Sequence, residues 1–346
     1  MSSSSALTDR RQKLHMPRNF TTVLVVCIVL LGVCAVASLV LGSRPVRFHE
    51  LIDGLFHPDI DSYGANIVRK RISRTVFSLL CGAALGVSGA LMQSVTRNPI
   101  ADPSILGVNT GAALFVVSGI AFLNISTANQ YIWLALAGAA ITAIFVFGIG
   151  SMGRGGATPI KLVLAGAATS AAISSLVAAI LIPRSYVMDQ FRFWQVGSVG
   201  SGSWSAIATF APFLIVGVLI AIVTAPALNA LALGDDVATG LGVRTGVLRL
   251  VAALAGVILC GAATALAGPI GFVGLLSTHV MRLILGPDLR FVIPMSAIAG
   301  ALILTIADVS GRLIGSPGEL EVGVVTAFIG APILIILAMR SKVRSL

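Results

Sequence analysis

The sequence predicts an all-α polytopic membrane protein with about ten transmembrane helices and both termini in the cytoplasm. The chain of 346 residues is 57% hydrophobic with a mean hydropathy of +1.00, well above a soluble domain of this length. Its apolar residues form runs of the roughly 17–25 residues that cross a bilayer as a helix. Basic residues also gather at both ends of the chain.

Ten apolar runs, separated by short stretches rich in Gly, Pro, Ser and Asp, predict the individual helices. They cover residues 20–41, 75–95, 104–125, 131–150, 161–182, 207–227, 248–267, 270–285, 291–308 and 323–339. The first run is too long and too late for a cleaved signal peptide, and no small-residue cleavage site follows it, so we expect it to be retained. Gly268-Pro269 precedes the short eighth helix, which predicts a bent pair there.

These runs leave no room for a separate soluble domain. We therefore expect a single ten-helix transmembrane domain over residues 20–340, with a cytoplasmic tail over 1–19 and a second one over 341–346. The four cysteines all lie inside apolar runs, which predicts neither a disulfide framework nor a metal site. They are Cys27, Cys34, Cys81 and Cys260.

The orientation follows from the charges. An even number of helices places both termini on one side, and the basic residues near both termini identify that side as cytoplasmic. They are Arg10, Arg11, Lys13 and Arg18 at the start and Arg340, Lys342 and Arg344 at the end.

This orientation places a basic cluster, Arg69, Lys70, Arg71 and Arg74, on the outer side, against the usual charge bias. Either the cluster is tolerated because long basic side chains reach the headgroups, or it has a function. Arg71 and Arg74 lie three residues apart on one helical face, where their guanidinium groups could meet an acidic partner. The charges alone leave both interpretations open.

Two cytoplasmic segments have polar patterns of different kinds. Asn98-Pro99 and Asp102-Pro103 are typical of helix caps followed by proline in the first turn, and they predict a structural turn back into the membrane. The stretch 231–249 predicts a short amphipathic helix that begins at Asp235 and Asp236 and is closed by Gly242. That helix would pack on its own domain, on headgroups or in the groove of a soluble partner, and its two acids argue against anionic lipid.

The remaining unusual polar residues lie near the end of the chain. His279 and Arg282 are three residues apart on one predicted helix. Asp308 and Arg312 are four residues apart, a spacing that favours an ion pair at the outer end of the ninth predicted helix.

Motifs for catalysis are absent from the sequence. The four lysines are not preceded by glycine, so the chain has no phosphate-binding loop, and it has no metalloprotease or serine-hydrolase motif. We therefore expect no enzyme activity and no cofactor on this chain. A proton-coupled secondary transporter stays open as an alternative, with Asp308 as the nearest candidate proton carrier.

Several long motifs in order resemble one family of permeases. They are "GAALGVSGALMQSVTRNPIADPSILGVNTGAAL" with the upstream "RISR", "FRFWQVGS" at 191–198, "LALGDDVATGLGV", "GPIGFVGLLSTHVMRLILGPD" and "PGELEVGVVTAFIGAPILI". From about residue 40 to 340 the chain resembles the permease subunits of binding-protein-dependent ABC importers for iron–siderophore complexes, haem and vitamin B12. The wording of "FRFWQVGS" and "PGELEV" is most similar to the ferric enterobactin branch.

This resemblance implies an importer in the bacterial cell membrane that works by alternating access. The chain would pair with a second permease, with a heterodimer favoured and a homodimer open. Two cytoplasmic ATPase subunits would hold ATP and Mg²⁺, an extracytoplasmic siderophore-binding protein would deliver the cargo, and nucleic acid would not be a partner. The favoured cargo is a ferric siderophore of the catecholate type, with haem and vitamin B12 as alternatives.

The resemblance also implies roles for particular residues. Arg71, Arg74 and Arg312 stand where the family's arginines meet glutamates of the binding protein. The family's coupling helix, which transmits movements of the ATPase subunits, falls on Asp235, Asp236, Ala238, Thr239, Leu241 and Gly242. The family's usual Pro-His is Thr278-His279 here, and this departure leaves the role of His279 open.

Overall fold

The computed structural model describes residues 19–57, 59–125, 128–153 and 158–340, and this part of the chain contains helices and no strand. The predicted tails at 1–18 and 341–346 lie outside the described residues. Thirteen α-helices are described, together with a 3₁₀ turn over Pro103–Leu106. They are α1 Phe20–Val40, α2 Phe48–Phe56, α3 Tyr63–Thr96, α4 Val108–Leu123, α5 Ala128–Gly150, α6 Pro159–Leu181, α7 Ser185–Gln195, α8 Trp204–Leu231, α9 Asp235–Gly240, α10 Thr245–Ala267, α11 Val273–Leu285, α12 Leu289–Ile314 and α13 Val322–Arg340.

The prediction of an all-helical polytopic membrane protein is confirmed. Each of the ten predicted runs lies on a helix, and the amphipathic stretch after residue 234 forms α9. Within the described residues, seven helices are long and apolar enough to cross a membrane, and α4, α11 and α13 are shorter apolar helices. The number of membrane crossings and the side of the termini stay predictions.

Some boundaries differ from those predicted. The second predicted helix was expected at residue 75, but α3 begins at Tyr63, because the Ser62 hydroxyl caps it by accepting a hydrogen bond from the Ala65 amide at 3.2 Å. Hydropathy detects only the apolar part of a helix, and backbone hydrogen bonding continues through the polar turns before it. The basic cluster at 69–74 therefore lies inside a helix. The short helices α2 and α7 were not predicted.

The helix α3 is the centre of the structure. It contacts α1, α2, α8, α10, α11 and α12, and its most extensive contact is with α12. Glycines allow the two backbones to touch, since a Cβ atom on Gly86 would collide with the carbonyl of Ser296, and one on Gly300 with the carbonyl of Gly82. The small-xxx-small pair Gly82 and Gly86 thus lies at a helix contact.

The bundle has two ends, which we name by their residues. The Arg74 end contains the last turn of α1 and the first turns of α3 and α8, where the Ser73 hydroxyl donates to the Gly202 carbonyl at 3.0 Å. The α9 end contains α9 and the last turns of α3 and α8, where Arg97 donates to the Leu231 carbonyl at 2.7 Å. Arg74 and Arg97 are separated by about 35 Å along α3, close to the thickness of the hydrocarbon core of a bilayer.

Because no side chain separates α3 from α12 at Gly86, we expect Gly86→Ala to destabilise the chain by about 1–3 kcal/mol through overpacking. The measurement is unfolding by denaturant in detergent micelles. Gly148→Ala on α5 is the matched control, since a Cβ atom there meets nothing within 4 Å. Equal stability of the two variants would contradict this account of the α3–α12 contact.

Candidate functional site

The Arg74 end is built around one buried carboxylate. Asp308 on α12 accepts hydrogen bonds from Arg74 Nε at 3.0 Å and Nη2 at 2.7 Å through Oδ1. Its Oδ2 lies 3.0 Å from Arg312 Nη2. The predicted ion pair between Asp308 and Arg312 is therefore present, and Arg74 joins it from α3. We call Arg71, Arg74, Asp308, Arg312 and Glu319 the arginine network.

Arg71 and Arg312 hold the last turn of α1. Arg71 donates to the carbonyls of Leu39, Val40 and Arg44 at 2.9, 3.0 and 2.7 Å. Arg312 donates to the carbonyls of Ser38 and Leu41 at 2.9 and 3.1 Å and to the Ser38 hydroxyl at 2.7 Å. Carbonyls at a helix C-terminus lack partners within the helix and carry partial negative charge, so guanidinium groups satisfy both needs.

These contacts leave Arg71 and Arg312 little exposed, at 8% and 1% of their surface. The family pattern of docking arginines implies guanidinium groups that point outward. Here the guanidinium groups of Arg71 and Arg312 point into the chain instead. Since α1 is otherwise largely exposed and packs mainly on α12, the two arginines attach its end to the bundle. Their docking role stays a prediction, and in this structure their visible role is to hold α1.

Of the three arginines in the network, Arg74 is the one that is not buried. Its Nη1 lies 2.7 Å from Oε2 of Glu319, whose side chain is 41% exposed. Glu319 stands in the segment between α12 and α13, and it was not singled out in the sequence because its ion pair joins residues 245 positions apart. Three of the four other members of the network were candidate docking residues, and Asp308 was the expected partner of Arg312.

Three of the motifs that carry the family resemblance meet beside this network. The Ser198 amide donates to the Ala267 carbonyl at 2.6 Å, and the Gly323 amide donates to the Gly197 carbonyl at 3.0 Å. A side chain on Gly268 would collide with the Trp194 carbonyl. The sequence segments 191–198, 268–271 and 317–323 therefore contact one another through their backbones, which requires glycine at the closest points.

The second candidate site is α9, at the other end of the bundle. Asp235 pairs with Arg97 at the end of α3, and its Oδ1 lies 2.8 Å from Arg249 Nη2 on α10. Ala238 is buried against the bundle, whereas Asp236, Thr239 and Leu241 are exposed. The 64% exposure of Leu241 leaves an apolar side chain uncovered at this end.

The end of α9 is shaped by a glycine. Gly242 has φ +83°, in the left-handed region that glycine adopts at low cost, and it turns the chain into α10. The prediction of a short helix closed by Gly242 is confirmed. The sequence left two surfaces open for α9, its own domain and a soluble partner. The chain's own helices cover one face of α9, and the other face is exposed.

The predicted turn before α4 is also present. The Asp102 carboxylate caps the 3₁₀ turn by accepting from the Ser104 amide at 3.0 Å, and Pro103 is the first residue of that turn. Asn98 instead forms a local turn, accepting from the Ile100 amide at 3.1 Å, and Pro99 follows it. These are structural roles for all four residues, as the sequence indicated.

No group of three or more His, Cys, Asp or Glu side chains that could hold a metal ion occurs among the described residues. The four cysteines are free thiols within the same part of the chain. His279 is half-buried on α11, and the neighbouring Thr278 donates its hydroxyl to the Gly86 carbonyl at 3.3 Å. The role of His279 stays open.

A bundle of apolar helices with polar sites at its two ends is typical of a polytopic membrane protein. Residues 29–340 match the FecCD transport family. The chain is 41% identical over 315 residues to the ferric enterobactin transport system permease protein FepD of Escherichia coli (strain K12), covering 90% of this chain and 93% of that one. It is 40% identical over 318 residues to the iron(3+)-hydroxamate import system permease protein FhuB of Bacillus subtilis (strain 168), covering 91% and 82%.

A solved structure agrees with these relatives. It is described as an ABC transporter of the metal-chelate type in an inward-facing conformation, and it is similar to this chain with a TM-score of 0.80, 27% identity, and coverage of 93% of this chain and 99% of that one. The chain belongs to the FecCD transport family. It is an ABC transporter permease and a multi-pass protein of the bacterial cell membrane.

The buried network makes a prediction about stability. Arg312→Gln removes one partner of a buried ion pair and the donors to the end of α1, so we expect a loss of about 3–5 kcal/mol in the free energy of unfolding. Arg192→Gln is the matched control, because its ion pair with Asp189 is exposed and such pairs contribute at most about 1 kcal/mol. Denaturant unfolding in detergent micelles measures both, and a loss of the same size in both would contradict the assignment.

Proposed function

We propose that this chain is the permease subunit of an ATP-driven, binding-protein-dependent importer of ferric siderophore complexes, with catecholate cargo of the enterobactin type favoured. It has no catalytic site of its own, both of its termini are cytoplasmic, and separate ATPase subunits hold ATP and Mg²⁺. The observation that carries this proposal is the placement of an arginine network and a partly exposed helix α9 at opposite ends of α3. An importer needs one surface to receive cargo and another to receive energy, a bilayer apart.

The Arg74 end is the docking surface for the binding protein. Arg74 supplies the accessible guanidinium group, and Glu319 beside it keeps one edge of that group near the surface. Arg71 and Arg312 act mainly by holding α1 and by adding positive potential around Arg74. An acidic side chain on the partner is the complement to this surface.

The helix α9 is the coupling helix. Asp235 connects it to α3 through Arg97 and to α10 through Arg249, so a displacement of α9 reaches both helices. Its exposed face, with Asp236, Thr239 and Leu241, is the surface for an ATPase subunit. Alternating access then follows when movement of the ATPase dimer changes the positions of the helix ends.

A second permease packs against α6. The exposed side chains of α8 are large and aliphatic, such as Ile215, Leu219 and Val223, which suits lipid. The exposed face of α6 is different, because most of its side chains are small or carry a hydroxyl group, namely Ala167, Ala168, Ala171, Ala172, Ser174, Ser175, Ala178 and Ala179. Small residues allow another helix to approach closely, and hydroxyl groups suit a polar pathway. The partner is a different permease in the favoured heterodimer and a copy of this chain in a homodimer.

The cargo is proposed from the similarity to these relatives and from the wording of two motifs, and proton coupling is judged from the contacts of Asp308. The relatives named above are described for a catecholate complex and for hydroxamate complexes, and the identities differ by one percentage point. The "FRFWQVGS" and "PGELEV" wording favours the catecholate type, with haem and vitamin B12 as the alternatives. Proton coupling through Asp308 is disfavoured, because two guanidinium groups already occupy that carboxylate.

The test of the proposed function is transport by the reconstituted assembly. This chain, the second permease and the ATPase subunits of the same transporter are placed in proteoliposomes, and the binding protein is added outside with ferric enterobactin. We expect uptake that requires both ATP and the binding protein. Ferric hydroxamate complexes, haem and vitamin B12 are compared in the same vesicles. Uptake without ATP, driven by a proton gradient, would contradict the proposal.

Coupling makes a separate prediction. Replacing Asp236 and Leu241 by Ala should leave membrane insertion intact and lower ATP-dependent uptake by about tenfold or more, since an interface typically depends on a few such side chains. ATP hydrolysis that continues without uptake is the signature. Asp189→Ala at the Arg74 end is the control. Normal ATP-dependent uptake by the double variant would remove the role of α9.

A further inference from the structure

The guanidinium group of Arg74 is shared between two carboxylates in very different surroundings. Nε and Nη2 face Asp308, whose side chain is 2% exposed, whereas Nη1 faces Glu319 at the surface. A bond to Asp308 cannot be broken without leaving a buried charge, which costs several kcal/mol. A bond to Glu319 exchanges for water or for another carboxylate at little cost.

We propose that Glu319 is an internal substitute for the partner's acidic side chain, and that docking replaces Glu319 on Nη1 of Arg74. This inference rests on the proposed docking of a binding protein at the Arg74 end. It assigns the contact to one guanidinium edge, and it identifies the chain's own residue that competes for that edge. The incoming group is a carboxylate, because it must replace a carboxylate on a guanidinium fork.

The other arginines of the network are poorly placed for such an exchange. The hydrogen bonds of Arg71 go to carbonyls at the α1 end, and Arg312 contacts the α1 end and Asp308. Gly42 lies against both groups, since a Cβ atom there would stand 3.0 Å from Arg71 Cζ and 3.5 Å from Arg312 Nη1. A partner would have to move α1 to reach either group, whereas movement of Glu319 frees Nη1 of Arg74.

The exchange also has a consequence inside the chain. Glu319 belongs to the segment 315–321 that leads into α13, and the next residue, Leu320, donates its amide to the Gly311 carbonyl at 3.1 Å. The first turn of α13 is tied to the 191–198 segment through Gly323 and Gly197. Release of Glu319 therefore removes one attachment of the segment before α13, and α13 itself lines an open groove with Gln195 and Pro269. Docking and the position of α13 are linked through this one side chain.

The experiment measures the affinity of the complete transporter in nanodiscs for its binding protein, loaded with ferric enterobactin, at low and high salt. We expect Glu319→Gln to tighten binding by about 3- to 10-fold, because the competitor for Arg74 is lost. Glu321→Gln is the matched control: it removes the same charge two residues away, and Glu321 forms none of the ion pairs described for the resolved helices and loops. A change of less than about twofold is expected for this control.

The Arg74→Lys variant separates failure of the exchange from failure of docking at the Arg74 end. Arg74→Lys keeps a charge near Asp308 but loses the fork, so it should weaken binding and abolish the gain from Glu319→Gln in the double variant. If Arg74→Lys weakens binding and the two glutamate variants behave alike, the exchange is refuted and docking at Arg74 stands. If a folded, membrane-inserted Arg74→Lys transporter binds like the parent, docking at this end is itself refuted. Weaker binding by Glu319→Gln would show that Glu319 contacts the partner directly, and it would also overturn the exchange.

Discussion

The structure depends on a carboxylate that two cations share inside the bundle. Asp308 holds Arg74 of α3 and Arg312 of α12, and these arginines connect onward to Glu319 and to the end of α1. Charges removed from water are tolerated only when they are paired and hydrogen-bonded, so each member depends on the others. A peripheral helix, the central pair of helices and a surface segment are thereby joined in one network at one end of the bundle.

The two ends of the bundle both contain ion pairs between arginine and acidic side chains, but the burial of the partners differs. At the Arg74 end Arg71 and Arg312 are buried, and their partners are Asp308 and the carbonyls of α1. At the α9 end the acid is the exposed partner, because Asp235 on a short helix pairs with Arg97 and Arg249 on long ones. The first arrangement favours a fixed surface. The second favours a helix, α9, that is attached to the bundle but lies partly exposed.

Sequence reasoning reached the helices because apolar length is a property of consecutive residues. It placed α9, the cap at Asp102 and the pair Asp308–Arg312, since each depends on neighbours within a few positions. It did not find the start of α3, because Ser62 caps a polar turn that hydropathy does not register. It also did not find that Arg71 points inward or that Glu319 meets Arg74, because those contacts join segments far apart in the chain.

The glycine contact between α3 and α12 restricts how the molecule can change shape. Backbone lies on backbone at Gly82, Gly86 and Gly300, so at these three points no side chain could adopt a second rotamer and create an alternative packing. Sliding one helix past the other would bring a Cβ atom against a carbonyl. At these glycines the pair has little room to slide, so a change of shape is easier for helices whose contacts are made by flexible side chains.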